Sequence, residues 1–142
     1  MKRMKLILIL ISFCGLLKAP IYPVGYIVKS EALMPYEVLW LATCQVESGC
    51  NPMAIGDRYL KKKSYGIAQI RQSRLDDYHR QTGIRYNAKD MFDVAKSKEV
   101  FMFYCAGSDL EVISRNWNGG EDKGMSKKST LKYWRKVNVL LK

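Results

Sequence analysis

The sequence predicts a mainly α, compact domain with little or no β-structure. Three observations carry that expectation. Apolar residues recur at helical spacing in several separate stretches. Glycines and an Asn-Pro pair close those stretches, as helix stop signals do. Strand-like segments are confined to short ones near residues 55–65. At 142 residues, 48% of them hydrophobic, the chain suits one core rather than two.

The first 19 residues read as a targeting leader, leaving 20–142 as the domain. Met1 to Lys5 is basic, and Leu6 to Leu17 is apolar apart from Ser12, Cys14 and Gly15. Twelve residues of helix rise only about 18 Å, against roughly 30 Å of bilayer hydrocarbon, so a cleaved signal peptide is expected rather than a stable span. The bulky Phe13 before Cys14 disfavours lipid anchoring, and the expected location is periplasmic or extracellular. Cleavage after Ala19 is the nominal site, although Leu17 stands where a small residue is preferred.

Residues 20–29 hold two prolines and are expected to be extended. A helix follows from Pro35 to about Ser48, with Met34, Val38, Leu41, Ala42 and Val46 as its apolar stripe and Pro35 in its first turn. Gly49 and Asn51-Pro52 end it, which puts Glu47 in the last turn. A polar, basic loop spans Ala54 to Ser64. The spacing then predicts helices from Ala68 to Thr82, from Asp93 towards Gly107, and from the cap Asp109 into Trp117. A final helix is expected to be capped by Thr130, with Leu131, Trp134, Val137 and Leu141 inward.

Charge narrows the partners. The formal charge is +11, from 24 Lys and Arg against 13 Asp and Glu. Losing Lys2, Arg3, Lys5 and Lys18 with the leader leaves 20 against 13, or +7, so the mature surface still attracts polyanions. Nucleic acid is one such partner and the bacterial wall another. No aromatic-basic nucleic-acid motif is present, and an exported protein meets the wall first. Beyond the leader, Cys44, Cys50 and Cys105 remain. An oxidising compartment allows one bridge, with Cys44–Cys50 the local candidate and Cys105 able to pair with either. Three thiols, one His and no CxxC spacing make no zinc site, so neither a metal nor a cofactor is expected.

Three blocks in fixed order carry the chemistry. They are Glu47-Ser48-Gly49-Cys50-Asn51-Pro52, then Ser64-Tyr65-Gly66-Ile67-Ala68-Gln69-Ile70, then Trp117-Asn118-Gly119-Gly120 followed by Tyr133-Trp134. With these blocks the sequence resembles the lysozyme-like superfamily, in particular the catalytic domain of soluble lytic transglycosylases, over roughly residues 35 to 140. The resemblance implies a lysozyme-like domain acting on peptidoglycan glycan strands, as a monomer, with Glu47 as catalytic acid/base. It implies that Ser64, Gln69, Trp117 and Asn118 line the cleft. Trp117 stands where that family has Tyr, keeping an aromatic wall but losing a phenol hydroxyl that could reach the Glu. The C-terminal third also resembles invertebrate-type lysozymes, hydrolases that use a Glu and an Asp; Asp57 is the candidate second carboxylate.

The residues support the chemistry on their own terms. Breaking a glycosidic bond needs a carboxyl that stays protonated near neutral pH. A Glu set among apolar neighbours has its pKa raised, because desolvation penalises the charged form. A transglycosylase manages with one such group; a hydrolase wants a second carboxylate. Each residue also has a plainer reading. Glu47 could be a solvated helix end, Ser64 a turn cap, Gln69 solvent-facing, Asn118 a turn residue and Trp117 core. Gly66 reads as a close backbone approach beside the Glu, and Tyr133 and Trp134 as packing for the last helix, with one of the two able to reach the cleft. Three functions remain open: transglycosylation, hydrolysis through Glu47 and Asp57, and non-catalytic binding of wall or nucleic acid by the basic surface.

Overall fold

The computed structural model describes residues 25–120 and 123–142, with side chains from Pro35 onward. The leader 1–19, Cys14 and the side chain of Met34 lie outside the described residues. The chain divides into two units, 1–32 and 33–142; the first is described only through the opening turns of one helix.

Among the described residues, five α-helices and a small sheet make up the domain, so it is mainly α with little β. Helix α1 runs Gly25–Ser48 and continues through Pro35, although the missing N–H leaves one carbonyl without its helical partner. The helix thus starts ten residues before the position the sequence indicated, and the extended lead-in expected over 20–29 is already helical from Gly25. The buried stripe also differs. Val38 is 41% and Leu41 62% exposed, while Leu39, Trp40, Ala42, Thr43 and Cys44 are buried. The segment is apolar nearly all round, so its period is clear but its inward face is set by what packs on it.

Two successive left-handed residues, Gly49 and Cys50, end α1, and the Gly49 N–H bonds Gln45 O at 3.1 Å. Three two-residue strands follow: β1 (Ile55–Gly56), β2 (Ser64–Tyr65) and β3 (Ile70–Arg71), antiparallel in that order. Ile55 pairs with Tyr65 and Gly56 with Ser64; Ser64 pairs with Arg71 and Tyr65 with Ile70. β3 occupies residues expected to open a helix. Gln69 has φ +54°, which no α-helix admits, so α2 begins only at Gln72 and runs to Thr82, with Gly83 closing it.

A 3-10 turn, Ala88–Phe92, leads into α3 (Val94–Phe103). α3 starts beside Asp93, as expected, and Asp93 caps it, accepting from the amides of Ala95 and Lys96; Asp109, the expected cap of the next helix, holds the N-cap position without a side-chain bond. α3 stops at Phe103, short of Gly107. α4 spans Leu110–Gly119 and α5 Lys128–Val139. Thr130 is not the cap of α5 but an interior residue, 1% exposed. Its hydroxyl lies 2.5 Å from Gly124 O and 2.7 Å from Lys127 O, and it accepts from Arg115 Nε at 3.1 Å, tying α4 to α5.

Phe101 sits at the centre of the core, 5.3 Å from the Trp40 ring and 4.9 Å from Trp117. Around it, α1, α3 and α4 meet, and Val137 brings in α5. Among the described residues Cys44, Cys50 and Cys105 are free thiols, two buried and one exposed, so the bridge that an oxidising compartment would allow is not formed here. Cys50 turns instead to Gln45, donating to Oε1 at 3.4 Å. No helix among the described residues is long and apolar enough to cross a membrane.

Candidate active site

The end of α1, the sheet, the start of α2 and the end of α4 surround a cleft of about 650 Å³. Glu47, Asp57, Ser64, Gln69, Trp117 and Asn118, the six residues singled out from the sequence, all line it. Arg71, Arg74, Tyr104 and Lys127 complete much of the wall.

Glu47 lies part-buried one residue before the end of α1. Burial pushes its pKa above the usual carboxylate range, the largest influence on it. Three groups oppose that push: the Tyr133 hydroxyl, then the charges of Arg74 and Arg71. Asp57 adds to the rise by like-charge repulsion. Tyr133, buried on α5, donates to Glu47 Oε1 at 2.8 Å. A phenol therefore reaches the carboxyl although position 117 is Trp. It comes from the last helix, whose Tyr133 and Trp134 the sequence indicated as packing, with one of the two able to reach the cleft.

The second block is bound to the helix end by its backbone. Ser48 Oγ donates to Ile67 O at 2.7 Å, drawing the turn between β2 and β3 against α1. Gly66 makes this possible. Its φ is +76°, and a Cβ there would fall 1.8 Å from Met91 O. Only a residue without Cβ fits, as the close-approach reading required.

Ser64 and Gln69 serve this turn as much as the cleft. The buried Ser64 hydroxyl lies 2.8 Å from Gln69 Oε1 and 3.1 Å from Asp57 Oδ2, two acceptors for one proton. Gln69 Nε2 donates to Gly66 O at 2.8 Å and Ala54 O at 3.3 Å, so both amide hydrogens are spent on main chain. Asp57 is gripped by Arg71, whose Nε and Nη2 reach Oδ2 at 3.2 and 2.7 Å. That hydrogen-bonded guanidinium lowers the Asp57 pKa, with Ser64 helping. Asp57 is ionised and occupied on one oxygen; Glu47 is pushed towards the protonated form. The two carboxyls of the cleft are driven in opposite directions by their surroundings.

Trp117 is 8% exposed, held edge-on by Phe101 and Tyr104. The Arg74 guanidinium lies 4.3 Å over its ring and 4.8 Å from that of Tyr104. Arg74 also donates to Trp117 O at 3.0 Å, which fastens the end of α4 and leaves Asn118 exposed at the cleft edge. Neither Arg74 nor Arg71 was marked by the sequence. One arginine among many carries no signal until the fold sets it over the Trp117 and Tyr104 rings.

A family model described as the transglycosylase SLT domain matches residues 27–102, more than half of the chain and a span that includes Glu47, Asp57, Ser64 and Gln69. No curated protein and no solved structure matches.

Proposed function

The chain belongs to the transglycosylase SLT domain family, and from that premise we propose that it cuts the β-1,4 bond between N-acetylmuramic acid and N-acetylglucosamine in peptidoglycan, using Glu47 alone as acid and base. The observation that carries this reading is the part-buried Glu47 with its raised pKa, facing the cleft beneath a phenol donor.

The proton bookkeeping closes on one residue. Protonated Glu47 gives its proton to the glycosidic oxygen, and the C1–O bond breaks as N-acetylglucosamine leaves. The carboxylate then takes the proton of the muramic acid 6-hydroxyl as O6 bonds to C1. The product end is a 1,6-anhydro sugar, and Glu47 is again protonated. Ser64, Gln69, Asn118 and the Trp117 edge form the walls against which the glycan lies.

Hydrolysis would ask Asp57 to attack C1 or to orient water. Its Oδ2 already takes both bonds from Arg71 and faces the Ser64 hydroxyl, an arrangement that stabilises the anion and blunts it as a nucleophile. The 1,6-anhydro outcome is therefore the one put forward. The substrate lies outside the cytoplasmic membrane, which fits export with residues 1–19 as leader.

Digestion of purified peptidoglycan, read by mass spectrometry, tests the proposal. Anhydro-muropeptides are the expected product; reducing-end muropeptides would instead establish hydrolysis. Glu47→Gln should lower the rate about 10²–10⁴-fold, the usual worth of a general acid/base. Binding to the wall without any product from the parent chain would make it a binding module.

A further inference from the structure

From Lys123 to Lys142 the chain holds seven Lys or Arg residues and no Asp or Glu. Four of the seven, Lys128, Lys132, Arg135 and Lys136, stand on α5. Thr130, Tyr133 and Val137 are buried and mark the inward side of that helix. At about 100° per residue, the four cations fall in one arc on the opposite side. All four are exposed, and Val139 at the far end is the apolar side chain that shares their arc. Lys128, Lys132 and Lys136 follow one another four residues apart, in a row about 12 Å long. Among the described residues, every ion pair takes its cation from elsewhere: Arg71, Arg80, Lys96, Lys98 or Arg115.

This row works against the helix that carries it. Like charges four apart repel along a helix face. The first turn holds no acid, so Lys127 and Lys128 meet the positive end of the helix dipole unopposed. An anion laid along the row relieves both repulsions. The row also begins at the cleft. Lys127, the residue before it, lines the cleft wall, and its Nζ donates to Gly119 O at the end of α4. A side branch of a strand lying in the cleft meets the row as it leaves past Lys127.

We infer that the outer face of α5 is a docking surface for the peptide stems of peptidoglycan, with Lys128, Lys132, Arg135 and Lys136 holding their carboxylates. The inference rests on the cleft being a peptidoglycan site, as proposed above. N-acetylated sugars are neutral once the lactyl group is joined to its stem, so this substrate carries its charge as stem carboxylates. Lysines hold such groups as point charges, without the fork of a bidentate arginine, and so read charge density rather than one geometry. A bilayer is a poorer fit, because the arc offers it little apolar surface to bury.

The test is sedimentation of the chain with insoluble peptidoglycan, freed of phosphate polymers by acid, at about 10 mM salt, where screening is weak. Every chain used for binding carries Glu47→Gln, so the mesh is not cut. Changing Lys128, Lys132 and Lys136 together to Gln, a comparable helix former, should weaken binding about tenfold, the worth of three exposed ion pairs. That variant should hold its urea midpoint at or above the parent's, since a repulsive row is gone. Coupling the mesh carboxyls to ethanolamine should abolish the difference between the two chains. The same change at Lys61, Lys62 and Lys63 removes equal charge and should weaken binding less. Unchanged binding by the α5 variant overturns the inference. So does an equal loss with the loop variant, which would make net charge the cause, or a difference that survives neutral carboxyls. A loss confined to vesicles of anionic phospholipid would make the face a membrane contact, and overturns it too. If the chain with Glu47 yields no anhydro-muropeptides while binding behaves as described, the cleavage proposal fails and the docking face stands. If that chain is active and the α5 variant binds undiminished, only the docking face falls.

Discussion

Glu47 is a liability to the folded chain as well as its proposed acid. Its folded pKa lies above the unfolded value, so the folded form holds the proton more tightly than the unfolded form. Stability from this group is fully present below the unfolded pKa, near 4.5, and is lost as pH rises through the folded pKa. Replacing the carboxyl by a neutral amide removes the penalty at neutral pH and does nothing in acid. Glu47→Gln should therefore melt higher than the parent at pH 7, and the difference should close as pH falls towards 4.5, read by calorimetry across that range. Asp57 runs the other way. Its folded pKa is depressed by Arg71, so its contribution is present above the unfolded pKa and is lost as pH falls through the folded one. Of these two opposed shifts, only the raised pKa of Glu47 is needed by the proposed acid chemistry.

At the scale of elements, the site depends on short segments clamped by backbone contacts. The turn between β2 and β3 passes Met91 so closely that Gly66 admits no side chain. Gly66→Ala adds about 1–2 kcal/mol of left-handed backbone strain and forces the turn away from Met91. A total loss of about 3 kcal/mol or more is expected in urea unfolding, with activity lost alongside because Ser64 and Gln69 move with the turn. The link between α4 and α5 is of the same kind. Thr130→Val would leave Gly124 O and Arg115 Nε short of a partner, at a cost of about 1–3 kcal/mol. Since α5 carries Tyr133, the same substitution should weaken the Tyr133–Glu47 contact, seen as an upward shift in the pH at which activity falls. These elements were visible in the sequence unevenly. Gly83 as a stop and Asp109 as the residue that opens the fourth helix follow from local chemistry, and both hold. β3 did not show, because Ala68 to Ile70 reads as helix until the left-handed Gln69 is known.

For the whole molecule, the core rather than a covalent bridge holds the helices around the cleft. Burial raises the thiol pKa of both Cys44 and Cys105 to about 12, so at pH 8 roughly one in ten thousand of either is thiolate. Cys50 is exposed. A thiol-alkylating reagent should therefore modify Cys50 in the folded protein and reach Cys44 and Cys105 only on unfolding, as peptide mass mapping would read. Unmodifiable Cys44 and Cys50 in the non-reduced, unfolded protein would instead reveal a bridge.

The sequence by itself determined the class of fold, the position of Glu47 at a helix end, and the order of the three blocks around it. Those features depend on neighbours within a few residues: caps, stops, period and the spacing of polar groups. It also marked six cleft residues, and the fold brings all six together. Only the tertiary structure decided which stripe of α1 faces inward, because an apolar helix offers several. It alone placed the Tyr133 phenol on Glu47 across 86 residues of chain, laid Arg74 over two rings, and spent the amide hydrogens of Gln69 on its own turn. Contacts between distant segments follow from how helices pack, and packing is settled by shape and burial summed over the core, which no local pattern encodes.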